Sequence, residues 1–304
     1  SDLPSQRAWW TLLLVLAYAG MLRLLALWGM GTPATRLIAA LAYALSPRVL
    51  SVLGTISSEA WPLALLPWIL IPLVRGAREG DPRRAAMWSA VAVACLGAVN
   101  AVASLIVLIP AVLYLLTRAA GPRRTRLAAW WAAGALLACL WWLIPLMVMS
   151  RIAPPFLSYI ESASVTQAPT SAFNALRGTA QWLAWAGSAG TGAIWDAGAW
   201  LAASPLGILA TAGVAALGLA GLGTRAVPER RFLVLSVLVG ATAMGLGYAG
   251  ALGSPVSGPV QHLLDGALAP LRNVHKFDPR VLGTFGLGLM SIACFIRAHF
   301  NSGV

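Results

Sequence analysis

The chain has 304 residues, of which 59% are hydrophobic and only 10% are charged, and its mean hydropathy is +0.79. Soluble proteins carry about 25% charged residues, so this composition excludes a water-soluble globular domain. The apolar residues form runs of helical length, unlike the short alternating segments of an outer-membrane barrel. We therefore predict an all-α integral membrane protein, a multi-span helix bundle with external loops and interfacial helices.

The formal net charge of +12 would indicate a nucleic-acid partner in a soluble protein. Here most arginines fall at the ends of apolar runs, where lipid headgroups and membrane topology explain them, so we expect no nucleic-acid partner. Cys95, Cys139 and Cys294 are isolated in apolar stretches and lack the spacing of a metal site, which predicts packing roles and no protein metal centre. A divalent cation as cofactor stays open.

The spanning segments follow from the apolar runs, taken in chain order. The chain starts at Ser1 without a methionine or a signal-peptide pattern, so we expect a fragment of a longer protein with no signal peptide to remove. We treat residues 1–304 as a single domain with about nine spans, several of them shorter than the ~20 residues of a clean crossing. These spans are 8–28, 34–50, 58–75, 84–99, 101–118, 127–149, 204–223, 231–251 and 281–297.

Arginine clusters set the orientation. Alternating crossings place three arginine-rich connections and Arg297 on one face, which the positive-inside rule makes cytoplasmic. The opposite face then carries the region between Arg48 and Glu59 and the long loops 150–203 and 252–280. We predict a multi-pass plasma-membrane protein whose active face is external. The three arginine-rich connections contain Arg75, Arg78, Arg83 and Arg84; Arg118, Arg123, Arg124 and Arg126; and Arg225, Arg230 and Arg231.

The loop 150–203 is rich in tryptophan: Trp182, Trp185, Trp195 and Trp200. Such a segment predicts a helix lying in the membrane interface, where these rings act as anchors. The same rings can instead stack on the faces of sugars, and the sequence leaves both interpretations open. The stretch Gly187–Gly192 has the glycines of a phosphate loop but no preceding strand, so we predict no nucleotide site there.

Arg48 and Glu59 lie close together near one membrane boundary. Pro47 is expected to end or kink the preceding helix just before Arg48. Glu59 follows two serines and precedes an apolar run. We consider a functional role, in which Arg48 binds a phosphate oxygen and Glu59 binds a sugar hydroxyl or a proton. The alternative is structural: Ser57 or Ser58 caps a helix and Glu59 is a first-turn acid.

The segment 272–280 concentrates charge between two apolar runs, and Lys276 is the only lysine of the chain. Phosphate recognition requires several cationic donors in a site partly shielded from water. Arg272, His275 and Lys276 supply such donors, so we predict a phosphate- and sugar-binding site that also includes Asp278. The alternatives are a solvated loop charge for Lys276 and Arg272, and an N-cap of the last span for Asp278.

Three stretches resemble the actinobacterial arabinofuranosyltransferase D family, large multi-span glycosyltransferases of the GT-C superfamily. They are Gln6-Arg7-Ala8-Trp9-Trp10; Ala42–Arg48 together with Ser58-Glu59; and Arg272-Asn273-Val274-His275-Lys276-Phe277-Asp278-Pro279. The resemblance implies an inverting transfer of arabinofuranose from decaprenyl-phosphate-arabinose, a membrane lipid donor, to a cell-envelope arabinan acceptor. A polyprenyl phosphate keeps its tail in lipid and its charge at the surface, so it requires an apolar lateral groove topped by cations.

The resemblance also implies a catalytic aspartate in the first external loop. Asp2-Leu3-Pro4 resembles the end of that loop, which places the catalytic base before Ser1 and leaves it unassigned here. Glu59 remains a candidate auxiliary acid. The competing functions are a lipid or solute transporter, disfavoured by the lack of paired halves, and a noncatalytic cell-wall scaffold. In the scaffold, the arginine-rich loops could dock an acidic cytoplasmic partner such as an acyl carrier protein, although lipid headgroup binding is the simpler explanation of these loops.

Overall fold

A computed structural model describes residues 3–278, apart from residues 55, 98–99, 155–158, 189–191 and 225–226. Within that part of the chain the only strands are the two-residue strands β1 (Gly187–Ser188) and β2 (Gly192–Ala193), which pair antiparallel. The prediction of an all-α helix bundle is confirmed. Gly187, Ser188 and Gly192 of these strands belong to the glycine stretch that resembled a phosphate loop.

Fourteen α-helices are present in the described residues. The first group forms the bundle: α1 (Leu3–Trp28), α2 (Pro33–Ala44), α3 (Pro47–Leu53), α4 (Ala60–Arg78), α5 (Pro82–Ala94), α6 (Ala101–Ile106), α7 (Ile109–Leu116) and α8 (Pro122–Met149). The second group is α9 (Ala163–Gln167), α10 (Ala172–Arg177), α11 (Asp196–Ala203), α12 (Pro205–Gly223), α13 (Arg230–Gly245) and α14 (Ser257–Asp265). Short 3-10 turns cover Ser57–Glu59, Trp182–Ala184, Ala269–Leu271 and Val274–Phe277.

In the part of the chain that the structure describes, four helical segments are long and apolar enough to cross a membrane: α1, Ser57–Arg78, α8 and α12. The predicted span 34–50 is instead a bent pair, since α2 and α3 meet at 43°. The predicted kink at Pro47 is confirmed, because this residue opens α3 after the break. The predicted spans 84–99, 101–118 and 231–251 are the shorter helices α5, α6 with α7, and α13. The span 281–297 lies outside the described residues.

Close backbone contact between α4, α5 and α8 builds the core of the bundle. A Cβ added to Gly76 would lie 2.4 Å from the Ala85 Cβ, and one added to Gly134 would lie 2.8 Å from the Ala90 Cβ. Small residues at such crossings let membrane helices pack at short range. The buried Ser89 hydroxyl donates to the Ile69 carbonyl at 2.8 Å, which ties α5 to α4.

The buried Arg177 holds the segment between α9 and α12 together. Its Nε donates to Thr211 Oγ1 at 2.8 Å, and its Nη2 donates to the carbonyl oxygens of Leu201 and Ala202 at 2.9 and 3.1 Å. One side chain thus joins α10, α11 and α12. Burial lowers the pKa of this guanidinium from its ordinary value. Hydrogen bonds to several carbonyl oxygens compensate part of the cost of burying the charge.

Two groups of charged residues lie at the two ends of α4. Arg78, at its last turn, pairs with Glu229 at 3.3 Å, and Arg118 pairs with the same carboxylate. Arg123 Nη1 donates to the Gly76 carbonyl at 3.0 Å. The predicted grouping of arginine-rich connections on one face is therefore confirmed for these residues. Glu59 lies at the other end of the 19-residue helix, about 28 Å away, close to the ~30 Å thickness of a hydrocarbon core.

Candidate functional site

Glu59 is the centre of a buried charged cluster formed by three distant segments. Its Oε2 lies 2.6 Å from Arg48 Nη2 and 3.3 Å from His275 Nε2, and its Oε1 lies 3.4 Å from Lys276 Nζ. The four side chains are only 3–9% exposed, with Arg48 at 4%. Four of the six predicted site residues therefore meet around one carboxylate.

The break between α2 and α3 positions Arg48 against the start of α4. Ser46 and Pro47 begin a new helix direction, so Arg48 stands in the first turn of α3 and faces the turn Ser57–Glu59. No side-chain cap is present at the start of α4. Ser57 Oγ instead accepts a hydrogen bond from Trp9 Nε1 at 3.0 Å. The serine-cap alternative for this region is therefore wrong, and the Glu59 carboxylate is turned toward Arg48.

The turn Val274–Phe277 is held from outside by Arg272 and Asn273. Arg272 Nη1 donates to the Glu161 carbonyl and lies 3.6 Å from Asp265 Oδ1, and Asn273 Nδ2 donates to Glu161 Oε1 at 2.9 Å. These contacts fasten the turn to the 159–188 segment while His275 and Lys276 reach the bundle. Arg272 is thus part of the site loop, but its contacts are with Glu161 and Asp265.

Asn100 is a member of the cluster that the sequence did not single out as functional. Lys276 Nζ donates to its Oδ1 at 3.3 Å, and the same oxygen accepts the Ala103 N–H at 3.0 Å as the cap of α6. The available signal in the sequence was a lone amide between two apolar runs.

Asp278 is buried at the end of the turn, 2% exposed. Its predicted capping of the last span involves residues outside the described ones.

The cluster carries more positive than negative charge. Arg48 and Lys276 contribute two formal positive charges against one from Glu59. Burial, followed by the nearby Arg48 guanidinium, lowers the pKa of His275 from 6.5 to about 4, so this imidazole is neutral at pH 7. The Nε and Nη1 of Arg48 are buried without a hydrogen-bond partner among the described residues. Such unsatisfied donors cost about 1–3 kcal/mol each, and an anion would satisfy them.

A lateral groove of about 960 Å³ runs along α1, α4 and α5, and Arg75, Glu79, Asp81 and Arg84 line it at the arginine-rich end. Apolar side chains such as Leu65 and Ile71 line it, and Trp88 and Val91 on its wall are exposed to the surroundings. Cys95 lies at one end of the groove, and its carbonyl accepts the indole N–H of Trp61, two residues after Glu59, at 2.9 Å. The groove therefore reaches from the arginine-rich end of the bundle toward the charged cluster.

Among the described residues no group of three or more His, Cys, Asp or Glu side chains could hold a metal ion. Cys139 is buried as predicted, whereas Cys95 is exposed because it ends α5 at the groove, which corrects its assignment as a packing residue. Cys294 lies outside the described residues.

Fold and site together define a polytopic helical membrane protein with a buried, cation-rich cluster at one end of its bundle. The model of the alpha-(1->3)-arabinofuranosyltransferase N-terminal GT-C domain matches residues 3–300, and the chain belongs to this family. It is 44% identical over 289 residues to the alpha-(1->3)-arabinofuranosyltransferase of Mycolicibacterium smegmatis, covering 95% of this chain and 20% of the relative. The protein of the same name from Mycobacterium tuberculosis is 42% identical over 291 residues, with the same two coverages.

The fold comparison agrees with the sequence comparisons. The single-particle cryo-EM structure of arabinofuranosyltransferase AftD from Mycobacteria superposes with a TM-score of 0.69 at 37% identity, over 94% of this chain and 18% of that chain. The chain thus spans about a fifth of the length of the relatives that it matches. The predicted family membership and the GT-C type of bundle are confirmed.

Proposed function

We propose that this chain forms the donor-binding part of an inverting membrane arabinofuranosyltransferase. The enzyme transfers arabinofuranose from decaprenyl-phosphate-arabinose to a cell-envelope arabinan, on the external face of the plasma membrane. The relatives' names support the sugar and the reaction class. The observation that carries the donor assignment is the Arg48–Glu59–Lys276 cluster, which keeps a net positive charge and unsatisfied Arg48 donors at one end of the bundle.

A polyprenyl-phosphate donor matches both features of this region. Its tail fits the part of the lateral groove that Leu65 and Ile71 make apolar, and its phosphate fits the partnerless donors of Arg48 and the ammonium of Lys276. In the transfer, the acceptor hydroxyl attacks the anomeric carbon and loses its proton to a base. The bond from that carbon to the phosphate oxygen breaks, and the phosphate leaves with the electron pair. Cations beside this oxygen stabilise the transition state more than the ground state.

Glu59 organises the cluster in this proposal. Contacts with Arg48, His275 and Lys276 hold its carboxylate, so it fixes the two cations where the phosphate arrives. The base that accepts the acceptor proton is not assigned to a described residue. Neutral His275 adds a hydrogen bond without adding charge. Arg272 positions the turn through Glu161, and Asp278 closes it at the buried end.

Transfer from radiolabelled lipid donor to an arabinan oligosaccharide, with the full-length protein in lipid nanodiscs, tests the proposal. Lys276→Met should lower kcat about 100-fold, because it removes one cation from the leaving phosphate. Arg151→Ala is the matched control, since this exposed arginine follows α8 at the same end of the bundle. Equal turnover of Lys276→Met and wild type would refute the donor site. Movement of the lipid across the bilayer without sugar transfer would favour a transporter.

Contacts within the arginine-rich end of the bundle disfavour docking of an acidic partner such as an acyl carrier protein. Arg78 and Arg118 already share Glu229, and Arg123 donates to the backbone carbonyls of Gly76 and Gly80. These arginines connect the segments at this end of the bundle. Fewer of their N–H donors therefore remain to bind an acidic partner. Headgroup binding explains the remaining arginines of this face.

A further inference from the structure

A second concave site lies on the loop side of the charged cluster, between α9, α10 and the end of α13. It is a groove of about 610 Å³, which we call the aromatic groove. Its lining includes Ser164, Ala168, Asn174, Trp182, Trp185 and Tyr248. None of the predicted phosphate-binding residues belongs to it.

The lining of the aromatic groove selects an uncharged ligand. No Lys, Arg, Asp or Glu side chain is among its described lining residues, so neither an anion nor a cation finds a partner there. Three aromatic rings supply flat apolar faces. The polar groups are the Tyr248 hydroxyl and the Asn174 amide, which already donates to the Pro169 carbonyl and accepts from Arg177 Nη1. Binding pockets typically combine such apolar walls with a few placed polar groups. A sugar ring, with C–H groups on one face and hydroxyls around its edge, has the complementary chemistry.

Hydrogen bonds hold both indoles in place before any ligand arrives. Trp185 Nε1 donates to the Thr179 carbonyl at 2.8 Å, and Trp182 Nε1 donates to Asn273 Oδ1 at 2.9 Å. Trp185 nevertheless remains 45% exposed, so its ring is available for stacking. Rings that are already oriented lose little conformational freedom on binding, which increases affinity.

Asn273 joins the aromatic groove to the charged cluster. It accepts from Trp182 on the groove side, and it immediately precedes the turn that carries His275 and Lys276. A ligand in the aromatic groove therefore lies beside the loop that we assign to the donor phosphate. This continuity distinguishes Trp182 and Trp185 from a simple membrane anchor such as Trp200, which is 50% exposed and lies outside the groove.

We propose that the aromatic groove is a subsite for a neutral sugar unit of the acceptor glycan, stacked on Trp185 and Trp182. The identity of that glycan as an arabinan rests on the proposed function. The presence of a carbohydrate site does not depend on it.

Protection of a single reporter cysteine tests the aromatic groove locally. Ala168 is exposed on the groove wall, so Ala168→Cys in the full-length protein in nanodiscs should react with a small maleimide. Labelling of the peptide that carries position 168 is measured by mass spectrometry, with and without a neutral arabinofuranose oligosaccharide. We expect at least fivefold slower labelling at saturating oligosaccharide. Ala203→Cys, exposed at the end of α11 and outside the groove, should show no protection.

Two ring variants complete the experiment. Trp185→Ala in the Ala168→Cys background should raise the oligosaccharide concentration needed for half-protection about tenfold, because one stacking face is lost. Trp185→Phe should raise it less than threefold, and the matched control Trp200→Ala should leave it unchanged. In turnover assays Trp185→Ala should raise the acceptor KM by a similar factor, with the KM for the lipid donor unchanged.

The outcomes separate this inference from the proposed function. Protection at position 168 that requires Trp185, in a protein without transferase activity, would support the sugar subsite and refute the transferase proposal. Absence of protection in an active enzyme would overturn the subsite alone. A reporter that is unreactive in nanodiscs and reactive in detergent, with or without oligosaccharide, would assign the groove to lipid and also overturn the subsite.

Discussion

At the scale of single residues, one carboxylate decides whether the site is stable. Glu59 compensates two buried cations, Arg48 and Lys276, and both would be left without their counter-charge if it were neutral. Removing one partner of a buried ion pair is much more destabilising than replacing all partners together, because a desolvated charge is left behind. Folding is therefore favoured by the negative charge of Glu59, whereas anion binding is favoured by the positive charge that Glu59 leaves uncompensated.

Glu59→Gln is expected to lower the free energy of unfolding by about 3–5 kcal/mol. The amide keeps the shape of the side chain but removes its charge. Thermal unfolding of the detergent-solubilised protein measures the change. In a double-mutant cycle, Arg48→Met should cost clearly less in the Glu59→Gln background than in the wild type. Additive costs for the two substitutions would show that the pair is not coupled.

The lowered pKa of His275 predicts that the free energy of unfolding decreases in acid. Its pKa is lowered to about 4 in the folded protein, against 6.5 for the free side chain. The unfolded chain therefore binds more protons between these values, so the stabilising contribution is complete above pH 6.5 and is lost as pH falls toward 4. The unfolding midpoint should fall over this window, and the decrease should be smaller in His275→Gln. An identical pH profile in the two proteins would contradict the neutral, buried state of the ring.

At the scale of elements, the close crossing of α4 and α5 fixes the arginine-rich end of α4, the helix that follows Glu59. Gly76 allows the two backbones to approach, since an added Cβ would come within 2.4 Å of Ala85. The same helix α4 carries Glu59 at its start and Arg78 at its end. A wider spacing at this crossing would therefore shift the position of α4 in the bundle.

Gly76→Ala is expected to destabilise the protein by about 1–3 kcal/mol, because the extra methyl group forces the helices apart. Gly213→Ala in α12 is the matched control, since a Cβ there meets no heavy atom within 4 Å. That substitution should be neutral or slightly stabilising, because alanine is the better helix former. Unfolding temperatures of the two variants in the same detergent give the comparison. Equal effects would show that the crossing tolerates a wider spacing.

At the scale of the whole molecule, the charge distribution predicts how the bundle lies in the membrane. The arginine-rich connections occupy one end and the Glu59 cluster the other, about 28 Å apart along α4. The positive-inside rule then predicts that the arginine end faces the cytoplasm and that the cluster lies at the external surface. A lipid donor presented from the outer leaflet requires this orientation.

Labelling of intact cells checks this topology. Leu252→Cys, fully exposed on the predicted external side, should react with a membrane-impermeant maleimide added to whole cells. Arg126→Cys, exposed in the first turns of α8, should react only after the cells are broken open. The reverse pattern would place the Glu59 cluster on the cytoplasmic side and would remove the external donor site.

The sequence alone determined the class of the protein, because apolar runs and scarce charge leave few solutions other than a membrane helix bundle. It also determined which residues were worth considering, since a lone lysine and a few acids in such a chain require an explanation. The kink at Pro47 followed from the missing N–H of proline, and the grouping of arginines followed from alternating crossings.

Only the tertiary structure decided how those residues combine. Glu59 and His275 are 216 positions apart, and no local pattern relates them, because their contact results from packing the turn Val274–Phe277 against the start of α4. The same packing paired Arg272 with Glu161 and Asp265, recruited Asn100 to Lys276, and brought Trp182 and Trp185 into one groove. Hydrophobic pattern specifies which segments are buried in the membrane, whereas side-chain contacts between segments depend on three-dimensional packing, which the one-dimensional pattern does not encode.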